Sequence, residues 1–228
     1  MDNIPVAQTI QIARFALGAR YEDIAPDIVD QLKRHLLDSL GSAIHAIPRP
    51  TIQKLIRQIR SLDGGGHCLA PGLGKTTPDR AAQVYTALTR YPDFMDNFLG
   101  KEATCHPSDN IGALLALAPS CDVDGRSLLT AMAVGYAIEC RLVEEIPVMI
   151  KGFDHTVLLA YSLTAAISRL LGLNETQTAH ALAIAGCSAN PLVTSRASYT
   201  YEWKGLASSF VAHACVQCAL MAIEGLTG

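Results

Sequence analysis

Apolar residues recur at helical intervals along most of this chain, and no segment of more than a few residues alternates with the period of a strand. Residues 4–17 place Ile10, Ala13 and Leu17 on one side of a helix. Pro26 and Asp27 open a second, in which Ile28, Leu32, Leu36, Leu40 and Ile44 predict an apolar stripe, and Pro48 and Pro50 end it. Residues 51–62 predict a shorter helix with a basic outer face, stopped by Asp63-Gly64-Gly65-Gly66. The stretch 67–76 is turn-rich and partly extended. Thr77-Pro78 then has the form of a cap followed by proline at the first helical position, starting a helix through Ala81, Tyr85 and Leu88. After a loop over 90–107, helices are expected at 109–118, 124–145, 155–171, 174–185 and 203–224. Pro147 breaks one, Gly172 closes another, Asn174 and Gln177 form a capping-box start, and Gly225 stops the last. With no repeat and no linker, 1–228 predicts one all-α, multi-helix domain.

Composition narrows the function classes. The chain is 50% apolar but only 6% aromatic, so alanine and leucine supply the core, which suits close helix packing. A chain of this length buries roughly 70% of its unfolded surface, so no metal or disulfide staple is required. The formal charge of −3, with no concentrated basic face, argues against nucleic acid. No run of about 18 apolar residues suggests a membrane span. Met1-Asp2-Asn3 is not the start of a secretion signal, and seven cysteines without framework spacing fit a reducing compartment, so a cytoplasmic protein is expected.

The chemistry-bearing residues concentrate in a few loops. Asp93-Phe94-Met95-Asp96-Asn97 is followed by Cys105-His106-Pro107-Ser108, and acids and a histidine meeting on loops suit a small polar substrate. Tyr91, Phe94 and Phe98 are expected to tuck the acidic loop against the core, raising the carboxylate pKa by desolvation. His106 and His155 each sit where a loop turns into a helix, whereas His35, His45, His180 and His213 fall inside helices as surface or satisfied core residues. Lys204 beside Trp203 opens the last predicted helix, where a cation meets the wrong end of the helix dipole unless an anion joins it. Gly72-Leu73-Gly74-Lys75-Thr76-Thr77 looks like a phosphate loop, but Leu69 stands where the first glycine is required, so a turn before a capped helix is the better reading. Cys215 and Cys218 share one face of a predicted helix, as small core residues.

In order and spacing these residues resemble the MmgE/PrpD family. Leu37-Asp38-Ser39-Leu40-Gly41, Ala81-Ala82, Gly135-Tyr136-Ala137-Ile138-Glu139-Cys140-Arg141-Leu142, Leu171-Gly172-Leu173-Asn174, Ala181-Leu182-Ala183-Ile184-Ala185 and Trp203-Lys204 carry the match through nearly the whole chain. The family's acidic loop reads Asp-Phe-Asp-Asp-Thr. Here Asp93, Phe94 and Asp96 match it, Met95 replaces the middle acid and Asn97 the threonine. The resemblance implies that Asp93, His106, His155 and Lys204 are catalytic and line a pocket for a small di- or tricarboxylate, with Asp96, Asn97 and Lys204 binding substrate and no cofactor or metal.

The function implied by this resemblance is that of a lyase: dehydration or decarboxylation by proton transfer α to a carboxylate, with an epimerase or isomerase of a small dicarboxylate as a close variant. The family's helical domain is followed by a smaller α+β domain that this chain does not include. The resemblance therefore implies an N-terminal all-α domain over 1–228, from a truncated product or one half of a split enzyme that needs a complementary chain. It also implies homodimerisation. A non-catalytic helical domain is the alternative from another class, and it predicts exposed apolar surface where a partner docks.

Overall fold

Local signals in the sequence set several helix starts. In the computed structural model, which describes residues 7–62, 64–197 and 199–228, Pro26, Pro50 and Pro78 each stand first in a helix. There the missing N–H costs no bond. Asn174 accepts from the Gln177 N–H at 2.9 Å while the Gln177 side chain accepts from the Asn174 N–H at 3.1 Å, the expected capping box. Asp124 caps its helix by accepting from the Ser127 N–H at 2.8 Å.

The helices run α1 (Gln8–Gly18), α2 (Pro26–Ala46), α3 (Pro50–Leu62), α4 (Pro78–Arg90), α5 (Asp109–Leu117), α6 (Gly125–Glu145), α7 (Thr156–Leu170), α8 (Glu175–Ser188) and α9 (Ala207–Ile223). Two short antiparallel pairs interrupt them: β1 (Cys68–Ala70) with β2 (Gly74–Thr76), and β3 (Phe98–Leu99) with β4 (Thr104–Cys105). The phosphate-loop lookalike forms the turn and second strand of the first pair, with Gly72 and Gly74 at positive φ. α7 is buried on almost every side, packed by α5, α6, α8 and α9, while α4 lies between α5 and α9. Cys215 and Cys218 are buried in α9, and burial pushes the Cys215 thiol up to about 12. Among the described residues no helix is long and apolar enough to cross a membrane.

The expected stripe on α2 is corrected. Leu32 is buried and Leu36 packs on the core, but Ile28, Leu40 and Ile44 are exposed. Strict four-residue spacing advances about 40° per step on a helix, so five such residues wrap away from one face. The inward line instead runs through Val29, Leu32, Leu36, Ser39, Ala43 and Ala46. The last helix also begins later than predicted: Glu202–Gly205 is a separate 3-10 turn, and α9 starts at Ala207. The predicted opening of the first helix at Ile4 and the N-terminal Met1-Asp2-Asn3 lie outside the described residues, as do Asp63 of the glycine stop and Ser198 of the 188–202 loop.

Candidate active site

Arg90 ends α4 with its side chain almost wholly buried, and a buried guanidinium must gather anions. The chain then turns sharply, with Asp93 at φ 62°, and returns the Asp93 carboxylate to Arg90 Nη1 at 2.5 Å. Lys204 Nζ donates to the other Asp93 oxygen at 3.3 Å. Burial works against the Asp93 carboxylate, but Arg90 first and then Lys204 hold its pKa below the usual range. The desolvated, raised carboxylate expected from the sequence is thus overturned here by two cations. Phe94 is also 79% exposed and does not anchor the loop; Tyr91 and Phe98 do, against the core. Met95, in place of an acid, brings its sulfur to 3.6 Å from Arg90 Nη1.

Asp96 fastens this loop to the next. Its carboxylate accepts from the Ser108 N–H at 3.0 Å and from the Tyr136 hydroxyl at 2.8 Å, with His35 Nδ1 at 3.6 Å. Its main-chain carbonyl lies 2.9 Å from His106 Nδ1. A carbonyl only accepts, so Nδ1 carries a proton, and Nε2 is the nitrogen left to exchange one. Asn97 is exposed, its amide donating weakly to the Met95 carbonyl at 3.5 Å.

The His155 ring meets the His106 ring edge-on, with centroids 5.0 Å apart. His155 stands just before α7, buried, and neither ring nitrogen has a hydrogen-bond partner; Asp154 Oδ1, at 3.8 Å, is too far. Burial above all, then the charges of Arg196, His106 and Arg90, push its pKa down to about 3 against the pull of Asp154. Its imidazole is therefore neutral at physiological pH. Asp154 is occupied elsewhere: it accepts from the Thr156 N–H and hydroxyl, from Ser195 and, through a short contact, from Arg196.

Several supports are not among the candidate site residues named from the sequence. Asp109, wholly buried at the start of α5, accepts from the Ser208 hydroxyl at 2.6 Å and lies 3.6 Å from Arg90 Nε. Asn110 donates to Glu139 at 2.7 Å and accepts from Ser162 at 3.1 Å, and burial lifts the Glu139 carboxyl well above the usual range. Gly135 lets α6 approach, since a Cβ there would meet Asn110 at 2.9 Å. The signal for these is the polar run Ser108-Asp109-Asn110 inside an apolar helix start, and Glu139 four residues after Gly135.

Arg90, Asp93, Asp96, His106, His155 and Lys204 thus join in one linked cluster, with Asn97 on its exposed edge. Arg90 Nε and Nη2, Arg196 Nη2 and both His155 nitrogens are buried without hydrogen-bond partners. Two hollows, of about 720 and 420 Å³, lie beside the first β pair and beside α1, and share no residue with the cluster. Phe94, Leu192, Tyr201 and Trp203, on the loops that carry it, stand 79%, 55%, 70% and 45% exposed.

A family model described as the MmgE/PrpD N-terminal domain matches residues 10–228. A 2-methylcitrate dehydratase of Escherichia coli (strain K12) is 30% identical over 206 residues, covering 85% of this chain and 42% of that protein. A 2-methylcitrate dehydratase of Salmonella typhi is 29% identical over 223 residues, covering 91% and 46% respectively. The alkylcitrate dehydratase phiI of Fungal sp. (strain ATCC 74256) is 31% identical over 220 residues, covering 85% and 42%. The chain spans somewhat under half the length of these curated relatives.

Proposed function

This chain belongs to the MmgE/PrpD family, and from that premise we propose that it supplies the helical-domain share of a lyase site for a small tricarboxylic acid of the alkylcitrate kind. The observation that carries the reading is the set of buried donors without hydrogen-bond partners on Arg90, Arg196 and His155, with Lys204 joined to Arg90 through Asp93. Buried polar groups are nearly always satisfied, and a multiply charged carboxylate offers oxygens to all of them.

In this reading Lys204, Arg90 and Arg196 hold substrate carboxylates, and neutral His155 donates a hydrogen bond without adding charge. His106 Nε2 removes the proton α to a carboxylate. The C–H electron pair forms the new carbon–carbon double bond as the neighbouring C–OH bond breaks. The proton taken up by His106 is then available to the departing hydroxyl, which leaves as water. Asp93 sets the position of Lys204, and Asp96 sets that of His106. Decarboxylation or epimerisation would begin from the same bound acid, and the names of the relatives favour dehydration.

The exposed rim and the partial coverage of the relatives favour one further reading: another chain segment or a partner completes the site. Proton NMR with 2-methylcitrate tests both. Alkene signals that vanish in Lys204→Ala support turnover by this chain. Substrate-induced shifts of the His106 and His155 rings without alkene support a bound but incomplete site. Neither change in a folded protein overturns the proposal.

A further inference from the structure

Two arms of the candidate site are tied to one hydroxyl, that of Thr51, which is buried near the start of α3. On one side Thr51 donates at 2.6 Å to the carboxylate of Glu202, which opens the 3-10 turn carrying Lys204. Lys54, also on α3, donates to the same carboxylate at 2.8 and 3.1 Å. On the other side the Thr51 oxygen accepts at 3.1 Å from the hydroxyl of Tyr91, which directly follows the buried Arg90. We infer that Glu202 is a positioning residue for the site: held by Thr51 and Lys54, it fixes the turn from which Lys204 reaches Asp93, and so sets where the Lys204 ammonium meets a substrate carboxylate. This rests on the role of Lys204 proposed above.

The contacts close a ring. Tyr91 donates to Thr51 and Thr51 to Glu202; two residues on, Lys204 donates to Asp93, which also accepts from Arg90, the neighbour of Tyr91. A hydroxyl gives one proton and accepts others, so Thr51 serves both arms at once. Gly205 lets the turn lie close to the tyrosine, since a Cβ there would come within 3.1 Å of Tyr91 Cδ2. A lysine ammonium ends a flexible four-carbon stem, so its place depends on its partner and on its backbone. Asp93 is the partner, and Glu202 holds the backbone.

This clamp is separable from overall stability. The side chains of Lys54 and Glu202 are 59% and 53% exposed, and an exposed ion pair contributes little to folding. Trp203, the one tryptophan of the chain, stands between Glu202 and Lys204, its ring centroid 4.5 Å from that of Phe210, and it reports on this turn.

Acrylamide quenching of Trp203 tests the clamp without substrate. Glu202→Ala should raise the quenching constant at an unchanged urea midpoint, whereas Glu202→Gln, whose amide oxygen still accepts from Thr51, should leave it near that of the parent chain. Calorimetric titration with 2-methylcitrate tests the effect on the site. Glu202→Ala should weaken binding by about fivefold, and Glu202→Gln should retain most of the affinity. In a Lys204→Ala background the loss of Glu202 should have no further effect, because Glu202 acts through Lys204. Unchanged quenching in Glu202→Ala overturns the inference. So does a full second loss of affinity in the Lys204→Ala background, or unchanged affinity in Glu202→Ala where Lys204→Ala weakens binding. Affinity that Lys204→Ala leaves unchanged overturns the lyase reading instead, and the quenching result still decides whether Glu202 holds the turn.

Discussion

Lys204 Nζ sits 3.3 Å from Asp93 Oδ2 across 111 residues of sequence, so the turn before α9 and the loop after α4 are held by one ion pair. The same carboxylate meets the buried Arg90 at 2.5 Å. Because the Asp93 side chain is 55% exposed and an asparagine oxygen can still accept from the buried Arg90, Asp93→Asn should cost no more than about 1–2 kcal/mol in urea unfolding. Turnover of 2-methylcitrate, in whichever assembly is active, should nevertheless fall at least about tenfold, since Lys204 loses its anchor.

Asp109 should behave oppositely. It is wholly buried against Arg90 and Ser208, so Asp109→Ala leaves a buried cation with one fewer anion. We expect a loss of about 3–5 kcal/mol, read from the urea midpoint at unchanged slope. A loss under about 1 kcal/mol would mean that Arg90 does not depend on it.

His155 predicts a pH dependence. Its folded pKa is near 3, below the ordinary value of about 6.5 expected when unfolded, so the unfolded chain binds the extra proton first. Its contribution is complete above about pH 6.5 and is lost as pH falls towards 3, with a slope of up to about 1.4 kcal/mol per pH unit. Thermal melts from pH 7 to 4 should show this fall, and His155→Asn should flatten it.

How much of this is legible in the sequence depends on the kind of signal. Helix ends written by proline, Asn174 or Asp124 are local, and they stand where expected. The two β pairs span two or three residues per strand, too few for a period to register. Asp93, Asp96, His106, His155 and Lys204 can be named from their loops and from family resemblance. Which of them touch is not readable there, because Asp93–Lys204 and Asp96–Tyr136 depend on tertiary placement. The raised pKa expected for Asp93 fails first because Arg90, three residues before it, turns onto its carboxylate, a pairing not drawn from the sequence, and then because of a lysine 111 residues away.

Gly135→Ala tests the approach of α6. Alanine is better than glycine in an isolated helix by up to about 1 kcal/mol, yet here its Cβ would come within 2.9 Å of the Asn110 side chain. Asn110 is held by Glu139, Ser162 and the Pro107 carbonyl and has little room to move. A net loss of about 1–3 kcal/mol is expected from denaturant unfolding, and a gain would show that Asn110 yields.

Tyr136→Phe removes the hydroxyl that donates to Asp96 at 2.8 Å. Hydrogen bonds to charged groups contribute about 1.5–3 kcal/mol, and a loss at the low end is expected, since Ser108 still holds the other oxygen. The His106 ring resonances should shift with it, because both groups hang on Asp96.

The partner that selects the His106 tautomer is the main-chain carbonyl of residue 96, and every amino acid carries one. The side chains of the acidic loop are therefore free to vary without changing which ring nitrogen is basic. Met95 and Asn97, which depart from the family pattern, occupy such positions. A loop wired in this way lets a lineage change its side chains while inheriting the same ring tautomer.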